Sequence, residues 1–434
     1  METALPSQLN YGGQSIVPPS TDSYEVVVRP TTNGSYVGGS QAYFDIPCVD
    51  FLDPSSMYIR YRLNTTSAGA ATQFLRGAPV YAPIQRVQTY MSGQSREIID
   101  EYGQILTYVL NNQLAVSMKA GSASYGYSVQ TASETNIYDG LVISHTGAGT
   151  ISTSLAAPFV NCLSLCDKFI PLDGMNSLRF VLTFDSLTNI FCPTGTTYPA
   201  GGTFTAPTNF TIDNLEIVYT AIRFNDEIKN MLLGSGEELV IKTQSFNNIT
   251  SILPASSSGV VAIPFQHRLS SIKSLHTLFV KNDNTTNPNG KFESRDVTSA
   301  NGSYQYDCAG KLYPQLALDT LNNKSATLME GKKAWNALYS TEWTPSINAL
   351  EFSINDGNTS TVTIPAKYFF STNTERVSSN QYLLSGMSSQ NSPVILRINI
   401  GQTTSAHNYN ISCVALYDML IRVNTATRQV DVSV

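Results

Sequence analysis

Two short stretches, Phe44-Asp-Ile-Pro47 and Val261-Ala-Ile-Pro264, match without a gap, and each is followed after four residues by a leucine, Leu52 or Leu269. The copies lie 217 residues apart, which is half of the 434-residue chain. Each then leads through a serine-rich turn into an apolar run and an Asn-Thr-Thr sequence. Self-similarity at a fixed offset marks repeated architecture, so this spacing predicts two related halves.

The ends of the halves are also alike. Residues 219–225 and 417–424 each begin with Tyr and close with Arg-x-Asn. Predicted helices at 98–118 and 325–339 occupy comparable places in their halves. Chance likeness between two β-rich sequences is the alternative, but four features in the same order favour duplication.

The predicted fold class is all-β. Short β-branched and aromatic runs alternate with Gly, Pro, Asn and Ser, a pattern typical of sandwiches and barrels. In the run after Pro54, Met57, Ile59, Tyr61 and Leu63 share one face, whereas His276 interrupts the corresponding face of the second half. Predicted strands cover 24–28, 42–46, 58–63, 178–184, 215–224, 260–264, 275–280, 362–365, 394–400 and 413–423.

Helices are predicted at three places. The strongest follows Ser95 as N-cap and carries an apolar stripe from Ile98 to Leu114. A second covers 325–339, with Leu328, Trp335 and Leu338 as candidate buried residues and Gly331 as an unfavourable interior residue. A third, Asp226–Leu233, stops at Gly234, for which we expect a left-handed conformation.

A chain of this length is too long for a single hydrophobic core and is expected to divide into domains. We predict a flexible N-terminal arm (1–23), a first β-sandwich (24–224), a short linker helix (225–236) and a second β-sandwich (237–434). Two long polar insertions, 120–158 and 281–305, are predicted to form projecting loops.

Composition argues against several kinds of protein. Charged residues make up only 13% of the chain, and a neutral polar surface suits a protein that packs beside its own copies. The net charge of −6 offers no basic footprint for phosphates, so we expect no direct contact with nucleic acid. Residues 1–23 lack a signal-peptide pattern and no apolar run is long enough for a membrane span, so we expect synthesis in the cytosol or nucleus.

No motif for catalysis or for cofactor binding occurs, and we predict no catalytic, cofactor-binding or metal site. Cys162-x3-Cys166 is the one close cysteine pair, and no second pair or nearby histidine completes a zinc set. Free thiols are therefore predicted. The histidines have no Cys or carboxylate at ligand spacing and are predicted to be surface or strand residues; they are His145, His267, His276 and His407.

Acidic clusters have ordinary explanations. Glu97, Asp100 and Glu101 are expected in the first turn of the long helix, where the helix dipole favours acids. Glu237-Glu238 is expected in a solvated turn. The Asn-rich and Asp-rich loop 282–289 offers oxygen ligands for calcium but lacks the spacing of an EF-hand.

Three stretches resemble the double-jelly-roll major capsid proteins, and most of all the hexon-like proteins of Polinton-like viruses, adintoviruses and virophages. They are Ile263-Pro264 with 269–275, residues 304–314, and Tyr417-Asp418-x-x-Ile421. In the second stretch Tyr306, Gly310 and Pro314 fit an element that similar proteins carry before their second helix. The chain is shorter than many such relatives.

The resemblance implies that the two halves are tandem jelly-roll β-sandwiches, 24–224 and 237–434, each with a helix in a loop. It also implies a structural virion protein of an icosahedral DNA virus, not an enzyme. Its partner would be itself, as a homotrimer with neighbouring capsomers, together with penton and minor capsid proteins. Assembly would take place in the host cytoplasm or nucleus, and the resemblance leaves an inner membrane open.

Two other classes remain open from sequence. A glycan-binding adhesin or viral spike would use aromatic side chains as a sugar platform, although the missing signal peptide argues against that route. A sandwich-fold glycosidase would need two carboxylates that converge on one cleft, and the sequence singles out no such pair.

Overall fold

A computed structural model describes residues 21–32, 34–114, 126–127, 140–197, 203–234, 236, 238–282, 290–298, 302–319, 324–336, 347, 349–353, 366–376, 384–400 and 407–434. The predicted strand 362–365, most of the 282–289 loop and residues 1–20 of the predicted arm lie outside these ranges. Within them the chain forms antiparallel sheets with short helices between the strands, so the predicted all-β fold class is confirmed.

The first half begins at Thr21, three residues before the predicted first strand. Its strands are β1 (Thr21–Val28), β2 (Gln41–Ile46), β3 (Phe51–Leu52), β4 (Tyr58–Ser67), β5 (Ala71–Arg76), β6 (Ile84–Met91), β7 (Gln94–Asp100), β8 (Gly140–His145), β9 (Gly149–Pro158), β10 (Ile170–Pro171), β11 (Leu178–Phe184), β12 (Thr196–Thr197), β13 (Thr203–Phe204) and β14 (Asn209–Phe224). Its helices are α1 (Tyr102–Gln113) and α2 (Leu187–Ile190).

Eight of these strands form a jelly roll. One sheet has the order β1-β14-β4-β9, and the facing sheet has the order β2-β11-β6-β7. Numbered along the chain, the eight strands therefore pair as 1-8-3-6 and 2-7-4-5, which is the jelly-roll arrangement of two interleaved Greek keys. The short strands β3 and β10 extend the first sheet beside β14.

The second half repeats this order. After helix α3 (Asp226–Leu233) it contains β15 (Glu238–Leu253), β16 (Val260–Phe265), β17 (Ile272–Lys281), β18 (Ser303–Cys308), β19 (Lys311–Asp319), α4 (Lys324–Ala334), α5 (Ala349–Ser353), β20 (Phe370–Asn373), β21 (Val394–Asn399), β22 (Tyr409–Asn424) and β23 (Gln429–Ser433). Its sheets are β15-β22-β17-β20 and β16-β21-β18-β19. We call β1 to β14 the first roll and β15 to β23 the second roll.

A hairpin turn preserves the 217-residue offset in three dimensions. Ser92-Gly93 joins β6 to β7, and Ala309-Gly310 joins β18 to β19. All four residues have positive φ, at 50°, 75°, 54° and 81° in that order. Positive φ at both central residues is what a type I′ hairpin requires. The repeat seen first in β2 and β16 thus extends to a turn that the sequence patterns did not single out.

The core of each roll lies between its two sheets. Met57, Ile59, Tyr61 and Leu63 are all buried, as their alternation predicts. In β17 a register shift between Ile272 and Ser274 changes the pattern. Thr277 and Phe279 face β18, where they meet Tyr306 and Tyr304, and this turns His276 to the opposite face of the sheet.

The long helix is shorter than predicted, and its predicted start was wrong. Ser95, the expected N-cap, and Ile98 lie in strand β7, and the helix begins only after Glu101, which has a left-handed φ of 56°. The apolar residues that look like one stripe are shared between a strand and a helix, because strand pairing with β6 overrides the helical period. Among the described residues no helix is long and apolar enough to cross a membrane.

The other two helices match their predictions more closely. Helix α4 ends at Ala334, and residues 337–339 of the predicted span lie outside the described residues. Helix α3 has the predicted bounds and is capped by Asn225, whose side chain accepts from the Ile228 amide at 3.1 Å. Gly234 has φ −83°, so the left-handed prediction was wrong; glycine is needed there because a Cβ would lie 2.5 Å from the Asn230 carbonyl oxygen.

Both predicted projecting loops contain ordered structure. Residues 140–158 form β8 and β9, and β9 is an integral strand of the first roll. The Ser and Thr residues of β9 are typical of a loop, which explains the prediction. The strand is nevertheless compatible with the sandwich, because Leu155 and Ala157 supply its buried apolar side chains. In the second insertion, residues 293–298 are buried beside β17, so they are part of the interior.

Candidate functional site

Helix α1, strand β7 and Lys291 build a contact between the two rolls, and this contact is the candidate functional site. Helix α1 of the first roll lies on the outer face of the second roll's sheet. Gln104 donates to the Lys291 carbonyl at 2.8 Å and accepts from the Ser412 hydroxyl at 3.2 Å. These contacts join residues up to 308 positions apart in sequence.

His276 lies at the centre of this contact and has a structural role. Its imidazole lies 2.8 Å from the hydroxyls of Ser274 and Ser371 and 3.1 Å from that of Tyr108 on α1. Trp335 stacks on the ring with centroids 4.5 Å apart. Burial lowers the pKa of His276 to about 3, so the ring is neutral and fully used in binding the helix to the sheet.

The remaining histidines occupy separate places. His145 is buried in β8 beside Thr65, and His267 lies 2.7 Å from Asn247 with its pKa lowered by burial to about 4. His407 precedes β22. In the described part of the chain, no group of three or more His, Cys, Asp or Glu side chains could hold a metal ion.

Glu97 does not lie in a helical turn, and this prediction was wrong. It points from β7 into the contact between the rolls, where it accepts hydrogen bonds from Thr89 at 2.7 Å and from Ser245 of the second roll. Burial raises the pKa of this carboxyl, and the two hydroxyl donors only partly oppose that shift. The group is therefore held toward its neutral form, away from solvent.

The other two acids of that cluster point elsewhere. Asp100 pairs with Arg86 across the β6–β7 hairpin, and Glu101 accepts from the Lys291 ammonium at 3.0 Å. Lys291 also pairs with Asp185, so this one cation ties the second roll to two segments of the first. The three carboxylates do not converge on a cleft and cannot act as an acid/base pair. Glu238, expected in a turn, is the first residue of β15.

The tip of the β6–β7 hairpin contacts the end of the chain. The Val430 amide donates to the Ser92 hydroxyl at 3.0 Å, and Arg96 donates to the Val430 carbonyl at 2.9 Å. Arg96 also lies 3.3 Å from the Asp431 carboxylate. Strand β23 is thereby held between β22 and the first roll.

All six cysteines are free thiols, as predicted. Cys162 is buried beside Glu97, and burial first, then the nearby carboxyl, raises its pKa well above the usual range. Cys166 is half-buried, and burial likewise raises its pKa. A raised pKa leaves both as neutral thiols, which are poor nucleophiles and poor metal ligands.

Asp50 anchors the linker helix to the first roll. Its buried carboxylate accepts from Lys229 of α3 at 2.6 Å, from Tyr24 of β1 at 2.8 Å and from Arg223 of β14 at 3.1 Å. Burial raises the pKa of such a group, but these three donors outweigh that effect and hold the pKa of Asp50 below its usual value. Nothing in the local sequence signals this role.

The outer face of the first roll's sheet carries exposed charges. Arg29 and Arg60 both donate to Glu216, and their side chains are 73% and 42% exposed. A pocket of about 470 Å³ beside them is also lined by Arg62 and Asp213. The corresponding face of the second roll is covered by α1, so the two rolls differ in what they leave open.

No protein-family model matches the sequence, and no curated protein matches it. The fold does match solved structures. The PBCV-1 protein VP54, fitted into a reconstruction of the virophage Sputnik, aligns with a TM-score of 0.61 over 97% of this chain and 99% of its own, at 8% identity. The mavirus major capsid protein aligns with a TM-score of 0.55 over 100% and 96%, at 11% identity.

The Faustovirus major capsid protein is also similar, with a TM-score of 0.56 over 94% of this chain and 91% of its own, at 11% identity. At such low identity these likenesses establish the fold. The chain has the double-jelly-roll fold of these proteins over almost its whole length, and the resemblance seen in the sequence is confirmed at that level.

Proposed function

We propose that this chain is the major capsid protein of an icosahedral DNA virus and that three copies form a pseudo-hexagonal capsomer. The observation that carries the proposal is the pair of jelly rolls in one chain, which α1 joins through buried contacts and which capsid proteins match over almost the whole chain. A fold alone does not fix a function. For a capsid protein, however, the fold bears directly on the function, because a pseudo-hexagonal capsomer has to be built from repeated modules.

Duplication supplies the geometry. Three subunits with two similar rolls each place six similar modules around one axis, and a six-sided tile can pack into a nearly flat facet. When one surface of a subunit fits a different surface of the next, association forms a ring if the rotation from subunit to subunit closes. The buried contact between the rolls supports the proposal, because it fixes one module of the tile against the next.

We propose the same division of the chain that the sequence predicts. Residues 24–224 and 237–434 would be the two upright modules and 225–236 the linker helix. The arm beneath the shell, predicted as 1–23, would be shortened to residues 1–20, because Thr21–Ser23 pair with β14. The ion pairs of Asp50 with Lys229 and Arg223 and its hydrogen bond from Tyr24 support a fixed linker, since they bind α3 to both β14 and β1.

Penton and minor capsid proteins would be further partners, and the virion would be the place of action after assembly in the host cytoplasm or nucleus. We propose no catalytic role and no direct binding of nucleic acid, in keeping with the net charge of −6. The glycan-binding alternative gains no support, since the proteins of matching fold are capsid components.

Light scattering of the purified protein tests the proposal. We expect a mass of three times 47.2 kDa that does not change on dilution through the low micromolar range. A stable monomer that binds glycans on an array would contradict the proposal and restore the adhesin alternative.

A further inference from the structure

The contact between the two rolls shows how one module meets the next. Strand β7 of the first roll runs beside β15 of the second, where Ser245 donates to Glu97 and the Asn248 side chain lies 3.5 Å from the Asp100 carbonyl. Among the strands that the structure describes, β15 pairs only with β22 and is therefore an edge strand. The first roll thus covers an edge that would otherwise present unpaired backbone groups.

Each of these strands has a counterpart in the other roll. The order of strands makes β19 the equivalent of β7, and the 217-residue offset of the preceding hairpin turn agrees with that assignment. By the same order β1 is the equivalent of β15. In the described residues β19 pairs only with β18 and β1 only with β14, so both keep a free edge.

The exposed side of β19 is apolar. Leu316 is 82% exposed and Leu312 is 42% exposed, and Tyr313 and Leu318 are half-buried. A strand at the edge of a sheet with exposed leucines is a site for pairing or packing with another chain. In an isolated subunit this strand would favour aggregation, so a defined partner is expected.

The outward side of β1 offers a complementary surface. Val27 is exposed between Glu25 and Arg29, while Tyr24 and Val26 pack against the core. The two free edges therefore both carry exposed apolar side chains, Val27 on β1 and Leu312 and Leu316 on β19.

We infer that β19 of one subunit packs against β1 of the next subunit, so that the contact between subunits repeats the contact between rolls. The inference rests on the proposed trimer, in which the second roll of each subunit meets the first roll of its neighbour. Such a head-to-tail interface closes a ring when each step rotates by the same angle. Six equivalent steps, three within chains and three between them, complete the ring.

A charge placed on β19 tests this interface. Leu316→Asp is expected to convert trimers to monomers, because it puts a carboxylate into an apolar contact, while the subunit keeps its thermal unfolding temperature since Leu316 is exposed. Val260→Asp is the matched control: Val260 is 72% exposed on β16, at the opposite edge of the same sheet. That variant is expected to remain trimeric by light scattering.

Mixing two defective chains tests the head-to-tail direction. Val27→Asp should also give monomers, since it alters the β1 side. In a mixture of the two variants, the Val27→Asp chain keeps an intact β19 and the Leu316→Asp chain keeps an intact β1. These two surfaces can still pair with each other. We expect this mixture to form dimers of one chain of each kind, although neither chain alone associates.

The outcomes separate the two claims. If the wild-type chain is never trimeric, the proposed function fails. If the wild-type chain is trimeric and Leu316→Asp remains as trimeric as Val260→Asp, the interface lies elsewhere and the inference fails alone. A mixture that stays monomeric would also overturn it, because β19 and β1 would then not be partners.

Discussion

At the scale of single residues, the polar groups with defined roles are buried and structural. Glu97, Asp50 and His276 each join segments that are distant in sequence, and each is satisfied by hydroxyl, ammonium or guanidinium partners. Sequence patterns near these residues are ordinary because each has a partner more than a hundred residues away: Ser245 for Glu97, Lys229 for Asp50 and Tyr108 for His276. Their burial was therefore not predictable from local spacing.

Glu97 gives the contact between rolls a dependence on pH. A carboxyl whose pKa is raised by folding contributes stability at low pH, and this contribution is lost as the pH rises through the folded pKa. Glu97→Gln keeps a hydrogen-bonding side chain of the same shape and cannot ionise. We expect this variant to match wild type in urea unfolding near about pH 4 and to exceed it by on the order of 1 kcal/mol near about pH 8.

The measurement is the difference in unfolding free energy between Glu97→Gln and wild type at each pH, since the other titrating groups are common to both proteins. Parallel curves of unfolding free energy against pH would show that Glu97 is not held toward its neutral form.

Asp50 is expected to give the unfolding free energy the opposite dependence on pH from that of Glu97. Its folded pKa lies below the ordinary value, so its stabilisation is present near neutral pH and is lost as the pH falls through the folded pKa. Asp50→Asn leaves Lys229 and Arg223 without their carboxylate and should cost about 1–3 kcal/mol of unfolding free energy at neutral pH.

Asp45→Asn is the matched control, because Asp45 pairs with Arg179 at 2.6 Å in a half-exposed ion pair. Such surface pairs contribute at most about 1 kcal/mol. Equal losses in the two variants would mean that the Asp50 cluster does not anchor the linker helix.

At the scale of strands and helices, period-2 patterns were reliable, whereas the start of the long helix was predicted wrongly. The strand 178–184 was predicted to the residue, and the linker helix likewise. The error at residues 95–101 arose because Ile98 and Ile99 fit both a helical stripe and a strand. Only pairing with β6, which sequence does not display, distinguishes the two.

Helix α4 shows a glycine retained for packing. Gly331 lies in the helix interior, where glycine costs about 1 kcal/mol relative to alanine. A Cβ at this position would lie 2.4 Å from the Phe369 ring. We expect Gly331→Ala to lower the unfolding free energy by about 1–3 kcal/mol, since overpacking outweighs the better helix propensity.

The exposed Gly147 is the matched control, because a Cβ added there would have no atom within 4 Å. Gly147→Ala should therefore leave the unfolding free energy within about 0.5 kcal/mol of wild type. A Gly331→Ala variant that is as stable as this control, or more stable, would show that the Phe369 contact does not restrict the position.

At the scale of the whole molecule, the duplication was predictable and the packing of the two halves was not. The repeat is visible in the local sequence of β2 and β16. The structure extends it to an equivalent hairpin turn and to the same order of strands in both rolls. The contact between rolls instead depends on single polar pairs such as Gln104 with Ser412, which no pattern along the chain reveals. The exposed strand β19 likewise becomes meaningful only when compared with the covered strand β7.

The central claim is that two equivalent modules per chain form a six-sided tile. Negative-stain microscopy of the purified protein tests it most directly, through two-dimensional averages viewed along the symmetry axis. We predict a ring of six similar lobes with threefold symmetry. Averages that show isolated two-lobed particles, or assemblies without six lobes around an axis, would contradict the claim.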